Sequence, residues 1–273
     1  MVPVLVAERR ERVAALLRER RTVSISELSA LFDASEATIR RDLIRLEEQG
    51  LAKRTYGGAI SLYSSGLDAP FSVRAHHHIS EKRAIALAAA GLVSDGETII
   101  LDAGTTTAHL AGFLKNRHNL TIITNSVRVM NELHDCDGVS VIATGGALHA
   151  LGALPEEGDL IMAGPVAEAT LRRFRPSKVF LGTAGITLTE GMTNSLLPQA
   201  QVKQLMIQTS EEVILLTDHS KFGHVSYSIV APVDVLDKVI TDSGINSEDH
   251  AALEERGVDV IVVDPVKEIV PGV

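Results

Sequence analysis

Beyond Gly96 the chain alternates short runs of β-branched and aliphatic residues with stretches of helical character, and this alternation restricts the fold more than any other feature. It requires an α/β architecture with a mainly parallel sheet. The strands it predicts are Thr98–Leu101, Leu120–Thr124, Val139–Ala143, Lys178–Leu181, Val213–Thr217, Lys238–Thr241 and Val258–Val263. Several of them end in a small or polar residue. Open α/β sheets bind ligands beyond the carboxyl ends of their strands, so these endings are where chemistry is expected.

The first ending is Asp102-Ala103-Gly104-Thr105-Thr106-Thr107, ahead of a helix expected to start near Thr107. Gly104 lets the backbone turn close to a ligand, the amides of a helix start favour an anion, and three hydroxyls can donate hydrogen bonds. A plain strand-to-helix turn uses Gly and Thr as well. The second ending is Thr124-Asn125-Ser126 and the third Thr144-Gly145-Gly146. The fourth supplies Gly182-Thr183-Ala184-Gly185, and the fifth Asp218-His219-Ser220-Lys221-Phe222-Gly223. Lys203 belongs to a helix opened by Pro198. Lysines on such helices are usually solvated, and Asp218 can simply cap the next turn. Taken together, the set favours a phosphorylated polyol, since carboxylates suit hydroxyls while Gly/Thr amides and lysines suit phosphate. The candidate ligand residues are Asp102, Gly104, Thr105, Thr106, Thr107, Thr124, Asn125, Gly145, Gly146, Gly185, Lys203, Asp218 and Lys221.

The first sixty residues follow another pattern. From Glu8 to Arg20, Val13, Leu16 and Leu17 recur at helical spacing. Ser24 stands three residues before Glu27, as in a capping box, and Leu28, Leu31 and Phe32 repeat the periodicity on a shorter helix. After the break Asp33-Ala34-Ser35, Ser35 can cap a third helix that runs to Gln49 and stops at Gly50. There Ile39, Leu43 and Leu46 form the buried stripe, so Thr38, Arg41 and Arg45 face away from it, with Arg40 at the flank and Ile44 apolar but off the stripe. Leu51 to Ile60 follows as a hairpin carrying Lys53 and Arg54 before a Gly57-Gly58 turn. This is the order of a winged helix-turn-helix, whose third helix enters the major groove of DNA while the wing touches the flanking backbone. An isolated Arg-Arg pair is more often a solvated surface. Here the helix, turn, capped basic helix and basic hairpin come in sequence, and the candidate DNA contacts are Ser35, Thr38, Arg40, Arg41, Arg45, Lys53 and Arg54.

Charge separates the two parts. The whole chain of 273 residues carries a formal −9, but residues 1–60 hold 11 Lys+Arg against 9 Asp+Glu, leaving 15 against 26 in the rest. Such a small basic excess predicts weak binding by one head and useful affinity only from two heads on a symmetric site, hence a homo-oligomer, dimer or tetramer. The acidic remainder speaks against an architectural DNA protein, since it would repel DNA everywhere except at the heads. A lone cysteine, Cys136, excludes a disulfide framework and a thiolate metal cluster. The consecutive His76, His77 and His78 point in different directions on a helix or a strand, so no metal site is expected, and no cofactor motif is present. No apolar run approaches the roughly 20 residues of a membrane span and Met1 to Arg12 lacks a leader pattern, so a cytoplasmic protein with no membrane partner is expected.

The run Ser35 to Leu43, then Leu46-Glu47, Gly50-Leu51, Arg54 and Gly57-Gly58-Ala59, resembles the signature of the DeoR family of bacterial transcriptional regulators. The resemblance continues through Pro70-Phe71, Arg74, Glu81-Lys82, Asp102 with Gly104 to Thr107, Thr124-Asn125, Gly145-Gly146, Gly164, Gly185, Gly191, Lys203, and Asp218 with Ser220-Lys221. It covers about Glu8 to Asp242. It implies a sensor domain with a fold like that of ribose-5-phosphate isomerase, a phosphorylated sugar or sugar derivative as effector, and repression of sugar-catabolism genes from a DNA operator. The chain departs from the pattern at Tyr56, where His is usual, at His78, often Asn, at Ala103 and His219, commonly Ser, and at Thr187, where Asp often follows Gly-Ile.

The fold class expected is therefore α/β, with an N-terminal winged helix-turn-helix domain followed by a Rossmann-like, mainly parallel sensor domain. The boundaries are 1–60 for the DNA-binding domain, 61–80 for a linker interrupted by Pro70, and 81–273 for the sensor, whose first helix is expected near Ser80 with Ile85 and Ala86. The rival reading is a sugar-phosphate isomerase with a DNA-binding appendage. Moving a proton between sugar carbons needs a positioned base. The isomerases of this fold carry an Asp-rich segment after the fourth strand, whereas Gly182 to Thr187 has no carboxylate before Glu190. The ligand is accordingly expected to be held and not converted.

Overall fold

The structure, a computed structural model, describes residues 6–20, 22–48, 52–61, 74–151 and 159–265. The chain divides into two compact units, residues 1–69 and 70–273.

In the first unit α1 (Val6–Arg20), α2 (Ile25–Phe32) and α3 (Glu36–Glu48) share one core with β1 (Thr22–Ser24), β2 (Ala52–Thr55) and β3 (Gly58–Ser61). Val13, Leu17, Leu28, Ile39, Leu43 and Leu46 are all buried in it. The expected stop at Gly50 and the start of the hairpin at Leu51 lie outside the described residues. Ser24 caps α2, accepting from the Glu27 amide at 3.1 Å, but the Glu27 carboxylate pairs with Arg20 instead of closing a capping box. Leu31 corrects the expected stripe, being 57% exposed. The buried face of this short helix runs through Ile25, Leu28 and Phe32, and at 100° per residue Leu31 falls about 90° from its centre. The hairpin gains an unforeseen third strand: β1 pairs antiparallel with β3, Val23 opposite Ala59. Three residues carry no alternation from which such a strand can be read.

The second unit opens with α4 (Ile79–Ala90). The seven expected strands are found, within a residue at each end, as β4 (Thr98–Leu101), β5 (Leu120–Thr124), β6 (Val139–Ala143), β9 (Lys178–Leu181), β12 (Glu212–Leu216), β14 (Lys238–Asp242) and β15 (Asp259–Val263). They form one parallel sheet in the order β15-β14-β12-β9-β4-β5-β6. Alternate residues of each strand enter opposite cores, as a pleat with helices on both faces demands. Ile99, Leu101, Phe180 and Ile214 pack with α4, α5 (Thr105–Leu114) and α6 (Val127–Leu133). Ile100, Val179, Leu181 and Leu215 pack with α7 (Pro165–Leu171), α8 (Leu197–Thr209) and α9 (Ser247–Glu255). Each of these fully buried apolar side chains contributes about 1.5–3 kcal/mol of hydrophobic stabilisation.

Two small antiparallel sheets complete the unit: β7 (Ala147–Leu151) with β8 (Asp159–Ala163), and β10 (Gly185–Thr187), β11 (Gly191–Asn194) and β13 (Ser228–Ala231) in that order. One feature of the large sheet positions everything that follows. From β4 the chain runs outward through β5 and β6 to one edge, and from β9 through β12, β14 and β15 to the other. β4 and β9 are neighbours whose crossovers leave in opposite directions, and such a switch point opens a crevice at the strands' carboxyl ends.

Candidate functional site

On the first unit, α3 presents Arg40, Arg41 and Arg45 to solvent while Ile39, Leu43 and Leu46 are buried beneath them. Ser35 and Thr38 make the helix start: the Ser35 hydroxyl accepts from the Thr38 amide at 3.3 Å and the two hydroxyls lie 2.9 Å apart. The cations are not equivalent. Arg40 pairs with Glu36 at 3.1 Å, Arg45 with Glu48 at 2.8 Å, and Arg54 on the wing with Glu47 at 2.5 Å. The Arg54 hydrogen bonds hold the Glu47 carboxyl below its ordinary range. Arg41 and Lys53 are exposed and have no ion-pair partner among the described residues. Sequence reading missed Asp42, which lies between these arginines in the chain yet is buried. One of its oxygens meets the Arg9 Nε and the other the Arg10 Nε, both at 2.7 Å. Two of the unit's cations are thereby turned inward, clamping α3 to α1.

In the second unit the crevice at the β4/β9 switch point gathers most of the expected ligand residues. Leu101 is in register with Thr124 on one side and with Phe180 on the other, so Asp102, Asn125 and Gly182 follow three adjacent strands. Asp102 is fully buried. Its Oδ2 accepts from the Gly182 amide at 3.1 Å and from the Lys203 ammonium. Lys203, itself buried, also donates to the Gly182 carbonyl at 2.6 Å. Its charge therefore positions Asp102 and is not held out as a free phosphate ligand, which corrects the role expected of it. The second oxygen of Asp102, Oδ1, has no hydrogen-bond partner among the described residues, and neither does either side-chain amide atom of the fully buried Asn125.

Around this centre Thr105, Thr106 and Thr107 are buried in the first turn of α5, which starts two residues before the expected Thr107. The Thr107 hydroxyl donates to the Gly104 carbonyl at 3.1 Å and serves the helix start. The Thr124 hydroxyl accepts from the Ser126 amide. Gly145 and Gly146 lie past β6, next to β5, and Gly146 adopts φ +111° where a side chain would meet the Ala163 carbonyl. Gly185 stands apart. It begins β10, paired with Thr193, and a Cβ there would come within 2.3 Å of the His224 carbonyl, so close backbone packing explains its identity.

Asp218 follows β12, two strands from β4, and caps the turn of residues 219–221 by accepting from the Ser220 amide and hydroxyl. Burial disfavours its ionised form, but Lys221, the Ser220 bond, Lys82 and His78 outweigh that and hold its carboxyl below the ordinary range. Lys82 is the cation that sequence reading passed over. Only 2% exposed on α4, it donates to the carbonyls of Arg74 and His77, and burial lowers its pKa to about 8 despite the opposing pull of Asp218. Two of its three N–H donors are used in those bonds. Half-buried His109 on α5 is pushed down as well, first by burial and then by Lys82 and Arg83. The carboxyl ends of the strands thus carry buried hydrogen-bonding atoms without partners among the described residues after β4 and β5 and, after β12, a carboxylate under the charges of Lys82 and Lys221.

Comparison with known proteins agrees with this division. The DeoR-like helix-turn-helix domain matches residues 9–65 and the DeoR C terminal sensor domain residues 77–243. The uncharacterized HTH-type transcriptional regulator YulB of Bacillus subtilis is 39% identical over 260 residues, 95% of this chain and 98% of that one. The transcriptional repressor AccR of Agrobacterium fabrum is 37% identical over 238 residues, 87% and 90% of the two chains. Among solved structures, the ribose 5-phosphate isomerase A of Methanocaldococcus jannaschii superposes on 52% of this chain and 53% of its own, with 18% identity and a TM-score of 0.37. Among the described residues no helix is long and apolar enough to cross a membrane. With both of its units matched in order, the chain belongs to the DeoR family of helix-turn-helix transcriptional regulators, and it is a regulator and not an enzyme.

Proposed function

We propose that this regulator represses sugar-catabolism genes, and that a phosphorylated sugar or sugar derivative, bound in the β4/β9 crevice, releases it from its operator. The observation that carries the reading is the trio of unmatched buried atoms, Asp102 Oδ1 and the two amide atoms of Asn125. Leaving a buried donor or acceptor unsatisfied costs about 1–3 kcal/mol, and sugar hydroxyls supply the donors and acceptors that would satisfy all three. Lys82 and Lys221 supply the field for the phosphate, with the α5 amides at Gly104 to Thr106. On the other unit, Arg41 and Lys53 would meet DNA directly, while Arg40, Arg45 and Arg54 would exchange a carboxylate for a phosphate. A dimer or dimer-based tetramer would set two α3 helices in successive major-groove turns of a roughly palindromic site.

Thermal melting of the full chain against a panel of ribose 5-phosphate, glucose 6-phosphate, fructose 6-phosphate, fructose 1-phosphate and N-acetylglucosamine 6-phosphate tests the effector. A ligand at 100 times its Kd stabilises the native form by about 2.7 kcal/mol, a shift of several degrees. By linkage the same compound must weaken operator binding by the factor by which DNA weakens its own. A panel that leaves the melting temperature unmoved, or a binder with no effect on a duplex selected from random sequence, refutes the assignment.

A further inference from the structure

Two histidines meet where the sensor unit receives the chain from the DNA-binding unit. His219, in the turn after β12, is held on three sides. Its backbone amide donates to Asp242 Oδ1 at 2.8 Å, its ring Nδ1 lies 2.7 Å from Asp242 Oδ2, and its ring covers Gly244, where a Cβ would come within 2.5 Å. Its free side receives the ring of His78, edge-on, with centroids 4.8 Å apart and planes at 80°. His78 immediately precedes α4 in the left-handed region, φ 51°, and makes no side-chain bond to the helix start. Its ring also lies 3.5 Å from the Glu81 carboxylate and, at a longer centroid distance of 6.0 Å, beside the tilted ring of His77.

This contact ties two particular segments together. Residues 74–78 are the first described residues after 62–73, the stretch that leads in from the N-terminal unit, and they are gripped a second time by Lys82, whose ammonium holds the carbonyls of Arg74 and His77. The turn at 219–221 carries Lys221 and follows Asp218, and Asp218 feels the charges of Lys221, Lys82 and His78 together. A ligand anion drawn to Lys221 and Lys82 therefore acts on both sides of the ring contact, pulling on the turn and on the lysine that holds the incoming chain.

We propose that His78 and His219 are positioning residues that transmit occupancy of the crevice to the chain leading to the DNA-binding unit, so that they set the coupling between effector and operator without contributing much to either affinity. This rests on the effector reading above. The test uses the full chain, the sugar-phosphate panel named there and the selected duplex, with His78→Asn, His219→Ser and the double variant. Asn tolerates the left-handed backbone at 78, and the backbone amides of His219 and Gly244 still satisfy Asp242 when the ring is gone. In the wild type, saturating ligand is expected to weaken duplex binding by a factor within about 5–150. In each single variant that factor falls to below about 3, while duplex affinity without ligand and sugar-phosphate affinity each stay within about 3-fold, and the melting temperature confirms folding. The double variant loses no more than either single one, the non-additivity expected of one contact and not of two separate structural losses. A wild type to which no panel member binds sinks the effector reading and this inference with it. Single variants released by ligand as fully as the wild type, or a double variant whose losses add, sink the inference alone and leave the effector reading standing.

Discussion

Asp42 and Asp102 are both buried, 1% and 0% exposed, one in each unit of the molecule, and their surroundings treat them differently. Asp42 spends each oxygen on an arginine of α1. Asp102 spends one oxygen on Lys203 and the Gly182 amide, while its other oxygen and both side-chain amide atoms of Asn125, after the neighbouring strand, have no partner among the described residues. A buried carboxylate whose bonds are complete within the chain fixes geometry. One left half-complete, at the switch point of a parallel sheet, holds capacity in reserve for something outside the chain. On the function proposed above, the first serves structure and the second recognition, and the contrast can be broken from either side.

The largest effect is expected at Asp42. Asp42→Ala leaves Arg9 and Arg10 without their shared carboxylate, and with Arg9 11% and Arg10 36% exposed the loss should be about 3 kcal/mol, at the low end for breaking a buried pair. Chemical denaturation followed by a probe in the N-terminal unit should show that unit melting early, with sugar-phosphate binding unchanged. An unaltered midpoint would mean that the clamp is ornamental and that the comparison between the two aspartates fails at its structural end.

Next comes the distinction among arginines on α3. Arg41→Ala should cost about 1–3 kcal/mol of operator affinity, roughly five- to 150-fold. Arg40→Ala and Arg45→Ala should each cost less, since both side chains already hold a carboxylate and must give it up to reach DNA. Competition binding of the three variants to one duplex decides it, and equal losses would show that the intrahelical pairs do not limit the arginines they engage.

At the recognition end, Asn125→Leu reverses the usual sign of a core substitution. It replaces a buried amide that has no partner among the described residues with an apolar side chain of similar volume, so the ligand-free protein should gain about 1 kcal/mol or more. The same change should reduce sugar-phosphate affinity by about 1–2 kcal/mol, some five- to thirtyfold. A variant that loses stability and keeps its ligand would place Asn125 among ordinary structural residues.

How much of this could be read from the sequence follows from the range of the interactions involved. The seven strands of the large sheet were legible because each is built around a short run of β-branched, aliphatic or aromatic residues, and the candidate crevice because each ending is a local run following its strand. Strands β1, β10 and β11 were not, being three or four residues long, with β10 and β11 begun by glycine and with β1 and β11 paired to strands distant in the chain. Partnerships were the least legible. Lys203 reads as a solvated helix lysine until its contact with Asp102, 101 residues away, is seen, and Asp42 reads as one more surface charge until Arg9 and Arg10 fold back on it. Residue types announce which chemistry is available, whereas long-range contacts decide which of it has already been used. His78 shows the same limit, since the pattern marked a departure there and its contact with the ring of His219, 141 residues on, is visible only in the fold.

The smallest expected effect concerns Lys82, and its sign can be worked out. Burial lowers its pKa from the usual 10.5 to about 8, so in the folded chain it sheds its proton between about pH 8 and 10.5, a window in which the unfolded chain still holds it. The protonated lysine is thus a cost to folding below about pH 8, and stability contributed by this group rises with pH through that window. Ligand binding has the opposite slope. A phosphate close to Lys82 favours the charged form, so binding takes up a proton above pH 8 and affinity should fall as pH rises from 8 to 9.5. The phosphate's own second ionisation, near pH 6, is complete before this window opens and adds no slope to it. Titration calorimetry at pH 7.5 and 9.5 should show roughly a tenfold loss, equivalent to about 1.4 kcal/mol. Lys82→Met should bind more weakly at pH 7.5 and show no further loss at 9.5. A wild type whose affinity stays level across the window would remove Lys82 from the field that holds the anion, leaving Lys221 and the α5 amides to supply it.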